Sequence, residues 1–330
     1  QNDAEGVLTG AYIYLRNQMS DNLFILGEAR SEVMQWSGLS GMMSFDRYYN
    51  NTLSSQLAGP EWKDFYTIIN TCNLLLKYVP NINFTSEANR NNILAQAYTM
   101  RAYIYFIMAK TWGEVPLRTE PVEGYKAESI QKTKSSVGEV FVLIKKDLDN
   151  AITLYKDDSF FGTRNYWSRP AANALKADVY LWTAKRLNGG NNDLQTALDA
   201  CNEVQKADVR LLPKFADLFE YSNKCNSEII MASAFNTDES GWNIYSSMYS
   251  GLTSSSTDPI NGEIIGFGNN GLVWTPTELV KSQFTKDDSR KDPSFVEIPG
   301  YATLVRKGRG TRISGIRYYT SDIVLYRYAD

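Results

Sequence analysis

The chain contains no histidine. That removes the side chain that changes charge near neutrality, the commonest zinc ligand, and every Ser-His or Cys-His nucleophile. Cysteine is scarce. Cys72, Cys201 and Cys225 stand far apart with no Cys-x-x-Cys spacing, which excludes a disulfide framework and a zinc ribbon. Cys72 and Cys201 fall on apolar stripes of expected helices and read as buried free thiols. No apolar run reaches the roughly 18 residues a membrane-crossing helix needs, and no signal peptide opens the chain. Excess positive charge is missing too: 34 Lys and Arg against 37 Asp and Glu leave a net charge of −3. No basic stripe of the kind nucleic acid demands stands out, so no nucleic-acid partner is expected.

Local chemistry motifs are equally sparse. Asp157-Asp158 and Asp287-Asp288 lack the loop that surrounds calcium with oxygens in one turn, and read as solvated charge. GFGNNG (266–271) has no strand–helix context that would cradle phosphate. Acidic residues are plentiful enough for a glycosidase pair, but no pattern singles two of them out. No catalytic residue, metal or cofactor is therefore expected, and the chain is not read as an enzyme.

Aromatics are what the chain does have, with 21 Tyr and 7 Trp. Many of them sit in a repeated motif. RAYIYFIMAK (101–110) and KADVYLWTAK (176–185) share one pattern, and GAYIYL (10–15) echoes it. Alanines seven apart put small side chains on one helix face, where another helix can approach closely. Each copy has an amphipathic partner. Trp62, Phe65, Ile69, Cys72, Leu76 and Val79 form a stripe over 61–79. Val137, Val140, Phe141, Ile144, Leu148, Ala151, Ile152 and Tyr155 form another, opened by a Ser136–Glu139 capping box. After the copy at 176, Asn188-Gly189-Gly190 stops the helix and Asn192 is the expected cap of the next. Its stripe is Leu194, Ala197, Leu198, Cys201 and Val204. Hairpins of this period are tetratricopeptide-like.

The fold expected is therefore mainly α, an α-α superhelix of tetratricopeptide-like hairpins with a loop-rich subdomain containing short strands. The hairpins occupy 1–207, with inserts near 30–60, 113–135 and 156–168; the loop-rich part occupies 208–330. EIIMASAF (228–235) reads as a strand. TPTELVKSQF (275–284) reads as a helix capped by Thr275 with Pro276 at its first position. YATLVRKG (301–308) and RISGIRYY (312–319) are expected to pair as strands, and IVLYRYAD (323–330) as the start of a helix.

The segment AQAYTMRAYIYFIMAKTWGEVPL (95–117) resembles the signature of the SusD/RagB family, surface lipoproteins of Bacteroidetes that bind nutrients, mostly glycans. The matching residues are Arg101, Ala102, Tyr103, Tyr105, Phe106, Gly113, Val115 and Pro116. EWKDFYTIINTCNLLLKYV, VGEVFVLIKKDLDNAITLY, SRPAANALKADVYLW, NSEIIMASAF and DIVLYRYAD resemble further family blocks in the same order. The resemblance implies glycan binding without catalysis and delivery to a SusC-like TonB-dependent outer-membrane barrel. It also implies cell-surface placement on a lipidated N-terminal cysteine, which this chain does not carry. Family members usually continue beyond the YRYAD motif, so a fragment is expected.

RAYIYF is apolar nearly all round and reads as buried scaffold rather than ligand surface. Ligand contact is expected instead from two insert clusters. One is Trp242, Tyr245 and Tyr249 with Asn243 alongside. The other is Trp36, Arg47, Tyr48, Tyr49 and Asn50. Flat aromatics cover the C–H face of a sugar while amide and guanidinium groups bond its hydroxyls. The alternatives are a peptide-binding helical scaffold and, further off, a two-carboxylate glycoside hydrolase.

Overall fold

The computed structural model describes residues 1–38, 46–56, 59–125, 127–239, 243–248, 272–298, 302–314 and 316–330. The helices in order are α1 Asn2–Ser20, α2 Asn22–Leu26, α3 Asp46–Tyr49, α4 Lys63–Tyr78, α5 Glu87–Trp112, α6 Ala127–Ile130, α7 Val137–Leu154, α8 Arg169–Arg186, α9 Gly190–Val204, α10 Glu278–Ser282 and α11 Lys291–Ser294. α1 packs on α4, α5 on α7, and α8 on α9. The hairpin architecture expected from the repeats is the one observed.

α5 is the axis of this stack. Ser86 caps its start by accepting the Asn89 N–H, and Gly113 ends it in the left-handed region at φ 72. Between these ends every residue from Ile93 to Ala109 except Tyr98 is buried. Tyr105 and Phe106 have no exposed surface. The buried charges at the centre of this core, Arg101 and Asp147, are satisfied. Arg101 donates from Nε and Nη2 to both Asp147 oxygens at 2.8 and 2.7 Å, and from Nη1 to Asn73 Oδ1 at 2.7 Å. Asn73 in turn donates to the Arg118 and Glu120 carbonyls. Burial alone would lower the pKa of Arg101, but its bonds to Asp147 outweigh that and hold it above its ordinary value. One guanidinium thus ties α4, α5 and α7 to the chain leaving Pro116.

The Ser136–Glu139 capping box on α7 is present. The start of α9 differs from expectation. Asn188 and Gly190 both take positive φ, so the turn is tight and the helix begins at Gly190, before Asn192. Asp193 closes the turn by accepting from Lys145 and from the Thr183 hydroxyl. The buried stripe of α9 is Ala197, Ala200 and Val204, while Leu198 is 54% exposed and Cys201 is exposed. The small alanines face inward because they let α9 approach closely. Cys72 is buried as expected, and burial raises its thiol pKa to about 12.

The remainder is organised by short antiparallel strand pairs. β1 Met34–Trp36 pairs with β3 Trp274–Pro276. β2 Ile229–Ser233 pairs with β8 Ile323–Arg327. β4 Phe295–Ile298 pairs with β5 Ala302–Val305, and β6 Thr311–Ile313 with β7 Ile316–Tyr318. These pairings correct three expectations. Segments 301–308 and 312–319 each take a nearer partner instead of each other. IVLYR (323–327) is a strand, because the wholly buried β2 offers it a ladder and Tyr326 reaches Asp178 on α8 at 3.0 Å. The helix at Glu278–Ser282 is capped by Thr277, not Thr275, because Thr275 and Pro276 belong to β3.

Two main cores result. The first lies among the hairpins and includes Phe65, Tyr105, Phe141, Trp167 and Leu175, with Met231 and Phe235 from beyond residue 207. The second includes Ile25, Met34, Tyr48, Ile244, Trp274, Leu304 and Tyr319. It therefore joins the first insert to the loop-rich part, across the sequence boundary at 207.

Candidate functional site

The described residues of both aromatic clusters singled out in the sequence lie in or beside the second core. Its centre is Trp274, which is buried and stands opposite Trp36 in the β1–β3 register. Phe24 and Tyr49 meet Trp274 edge-on, with ring centroids 5.3 and 6.4 Å away. Trp274 was not among the expected residues; its signal is the apolar run Leu272-Val273-Trp274 after a long polar stretch.

α3 carries the rest of the first cluster. Tyr48 points inward and is buried. Arg47 lies over its ring, 5.0 Å from the centroid, and donates to its hydroxyl at 3.3 Å. Tyr49 is half-buried and Asn50 exposed. Asn51 takes φ 53 and exchanges two hydrogen bonds with Arg30, so α3 is strapped to the turn at Glu28–Arg30. Trp36 is half-buried, and its indole N–H is enclosed with no hydrogen-bond partner among the described residues. An enclosed donor of this kind is costly unless something accepts from it.

In the second cluster, Trp242 and Tyr249 lie outside the described residues. Asn243 has no exposed surface. Its amide donates to the Ser321 carbonyl at 2.9 Å and its oxygen accepts the Tyr245 N–H. This fixes the turn Ile244–Met248 on the second core. Tyr245 is half-buried beneath Gly308, where φ is 72 and any side chain would strike the Tyr245 ring. Burial, with the charges of Asp322 and Glu28, raises its phenol pKa to about 12. Arg47, Tyr49, Asn50 and Trp36 are thus reachable from outside, whereas Tyr48 and Asn243 hold the surface in place.

A cavity of about 520 Å³ lies beside this site, where the two cores meet. Phe24, Met34, Tyr103, Ile244 and Tyr245 line it together with the charged Glu28 and Lys307. Tyr103 is the one tyrosine of RAYIYF in its wall; Tyr105 instead exchanges hydrogen bonds with the Arg118 backbone. Three of the four acidic residues in the pairs noted in the sequence have local partners. Asp157 accepts the Ser159 N–H, Asp158 pairs with Arg169 at 3.7 Å, and Asp288 holds Arg290. Among the described residues no group of three or more His, Cys, Asp or Glu could hold a metal ion, and no helix is long and apolar enough to cross a membrane.

Residues 2–181 match the SusD-like family described as starch-binding and associating with the outer membrane. A SusD-like protein of Bacteroides ovatus is 28% identical over 57% of this chain and 34% of its own length. SusD-like protein P38 of Formosa agariphila is 28% identical over 99% of this chain and 68% of its own. The solved structure of B. fragilis NanU superposes with a TM-score of 0.86 at 29% identity, covering 100% of this chain and 71% of that one. The chain thus spans about a third to two thirds of the length of these curated relatives. The matched profile covers more than half of the residues, and on that ground the chain belongs to the SusD-like family.

Proposed function

We propose that the second core presents a glycan-binding face and that the chain captures an oligo- or polysaccharide at the cell surface without breaking a bond. The observation that carries this is α3, strapped to the Glu28–Arg30 turn with Tyr49 packed on the second core, together with Trp36, whose strand partner Trp274 belongs to that core. Trp36 and Tyr49 cover the C–H face of a sugar ring. Arg47 and Asn50 bond its hydroxyls, and the enclosed Trp36 N–H gains an acceptor. Tyr245 packs on the same core, and Trp242 and Tyr249 are proposed as further contacts on the sequence alone.

In this reading residues 1–207 are the scaffold and 208–330 the loop-rich subdomain of one continuous domain. The glycan passes to a SusC-like TonB-dependent outer-membrane barrel, and a lipidated cysteine anchors the protein to the outer membrane. Family membership supports both. Titration against a panel of neutral glycans, repeated with Trp36→Ala and Trp242→Ala, tests the site. Affinity should fall about tenfold or more in each variant; unchanged affinity in both removes it. Release of reducing sugar by the purified protein would replace the reading with a hydrolase. Co-purification with a peptide partner and no affinity for any glycan would replace it with a protein scaffold.

A further inference from the structure

We infer that a second site, for a single neutral sugar unit, lies on the helical side of the molecule between α1, α5 and the 156–168 insert. A cavity of about 340 Å³ opens there, at the small end of the range for small-molecule pockets. Phe161 and Tyr166 form its aromatic side, and Asn89, Asn92, Gln96 and Glu5 its polar side.

The aromatic side is not explained by folding alone. Phe161 and Gly162 occupy adjacent left-handed positions, at φ 49 and φ 81, in a turn closed by the Thr163 N–H to Phe160 O bond. Such a pair of positions favours Asn-Gly, and a bulky aromatic there is strained. Phe161 is 41% exposed: its ring packs on Tyr155 with centroids 6.3 Å apart, which offsets part of that strain and leaves the rest of the side chain open beside the cavity. Tyr166 is 42% exposed and is held edge-on by Tyr12 at 5.0 Å. Tyr12 is itself fixed, donating to Gln96 Oε1 at 2.6 Å and accepting the Trp167 N–H at 2.8 Å.

The polar side has unused capacity. Asn92 Oδ1 is enclosed without a hydrogen-bond partner among the described residues. Gln96 is 4% exposed, and with its oxygen engaged by Tyr12 it keeps amide N–H donors for the cavity. An enclosed acceptor, amide donors and a carboxylate beside two part-exposed rings match a neutral pyranose. The ring C–H groups meet the aromatics, and the hydroxyls both give and take hydrogen bonds. A strained residue is a pointer to function when the fold does not require it. This site is independent of the face on the second core.

The test uses methyl NMR of the full chain, reading the Leu8 and Ile93 methyls that line the cavity. The probes are glucose, galactose, mannose, maltose and cellobiose, followed by soluble starch. The Ile93 and Leu8 resonances should move on titration with at least one free sugar. The shifts should persist in Trp36→Ala and vanish in Asn92→Leu and Phe161→Gly. Phe161→Gly should stay folded, with methyl resonances away from the cavity unchanged, because glycine tolerates the left-handed turn. A response to starch but to no free sugar would still support the pocket, with a chain unit as its occupant. The inference is overturned if no probe moves these methyls or if the shifts survive Phe161→Gly. Loss of affinity in Trp36→Ala with the Ile93 shifts intact separates failure of this site from failure of the first.

Discussion

The two cores handle aromatic side chains in opposite ways. In the helical core Tyr105 and Phe106 are wholly enclosed, and the polar atoms of Arg101, Asp147 and Asn73 are bonded to one another and to backbone. In the second core Trp36 and Tyr49 are only half-buried, and the Trp36 indole N–H lacks a partner among the described residues. A closed aromatic core with its charges paired maximises stability. One left partly open keeps surface and hydrogen-bonding capacity for something that arrives later. Aromatic content alone therefore does not locate a binding site, and neither does an unpaired donor alone, since the wholly buried Trp167 Nε1 also lacks a partner among the described residues; exposure and unused bonding capacity together do.

Substitutions that act on one core and spare the other can break this contrast. The largest effect is expected for Asp147→Ala, which leaves the Arg101 guanidinium buried and unpaired. Urea denaturation should show a loss of about 3–5 kcal/mol. Trp36→Ala should do the reverse, raising the glycan Kd about tenfold with less than about 1 kcal/mol lost from stability, read by calorimetric titration and melting. Equal loss of stability in the two variants would erase the distinction. Ser136→Ala removes the α7 cap and should cost about 1 kcal/mol by urea denaturation while glycan affinity stays unchanged. The smallest expected effect is that of pH. With no histidine in the chain, glycan affinity should stay constant within about twofold between roughly pH 6 and 8. A steeper profile would place a perturbed carboxyl or amine in the binding face.

The helical part was closely legible. The copies at 10, 101 and 176 and their partner stripes all become packed hairpins, because a helix declares itself within a few turns of its own sequence. Errors there are confined to ends and rotations. Asn192 was passed over because Asn188 and Gly190 turn the chain sooner, and Cys201 faces out because alanines let α9 sit closer to α8. The strand part was less legible. Thr275 looked like a cap only so long as its partner Gln35 was unknown, and IVLYR looked helical only so long as β2 was not beside it. Of the site, the residue types in both inserts could be read. Which of them face inward could not: nothing local separates Tyr48 from Tyr49, or tells that Asn243 is fully bonded within the fold.

By itself the sequence determined the hairpin scaffold, the burial of RAYIYF and the family, since each rests on contacts between near neighbours or on motifs in order. Only the tertiary structure decided that the first insert and the loop-rich part share one core around Trp274. The reason is that β1 meets β3, and β2 meets β8, across separations that no local period records. A strand shows which residues alternate, but which side becomes the inside depends on a partner far along the chain.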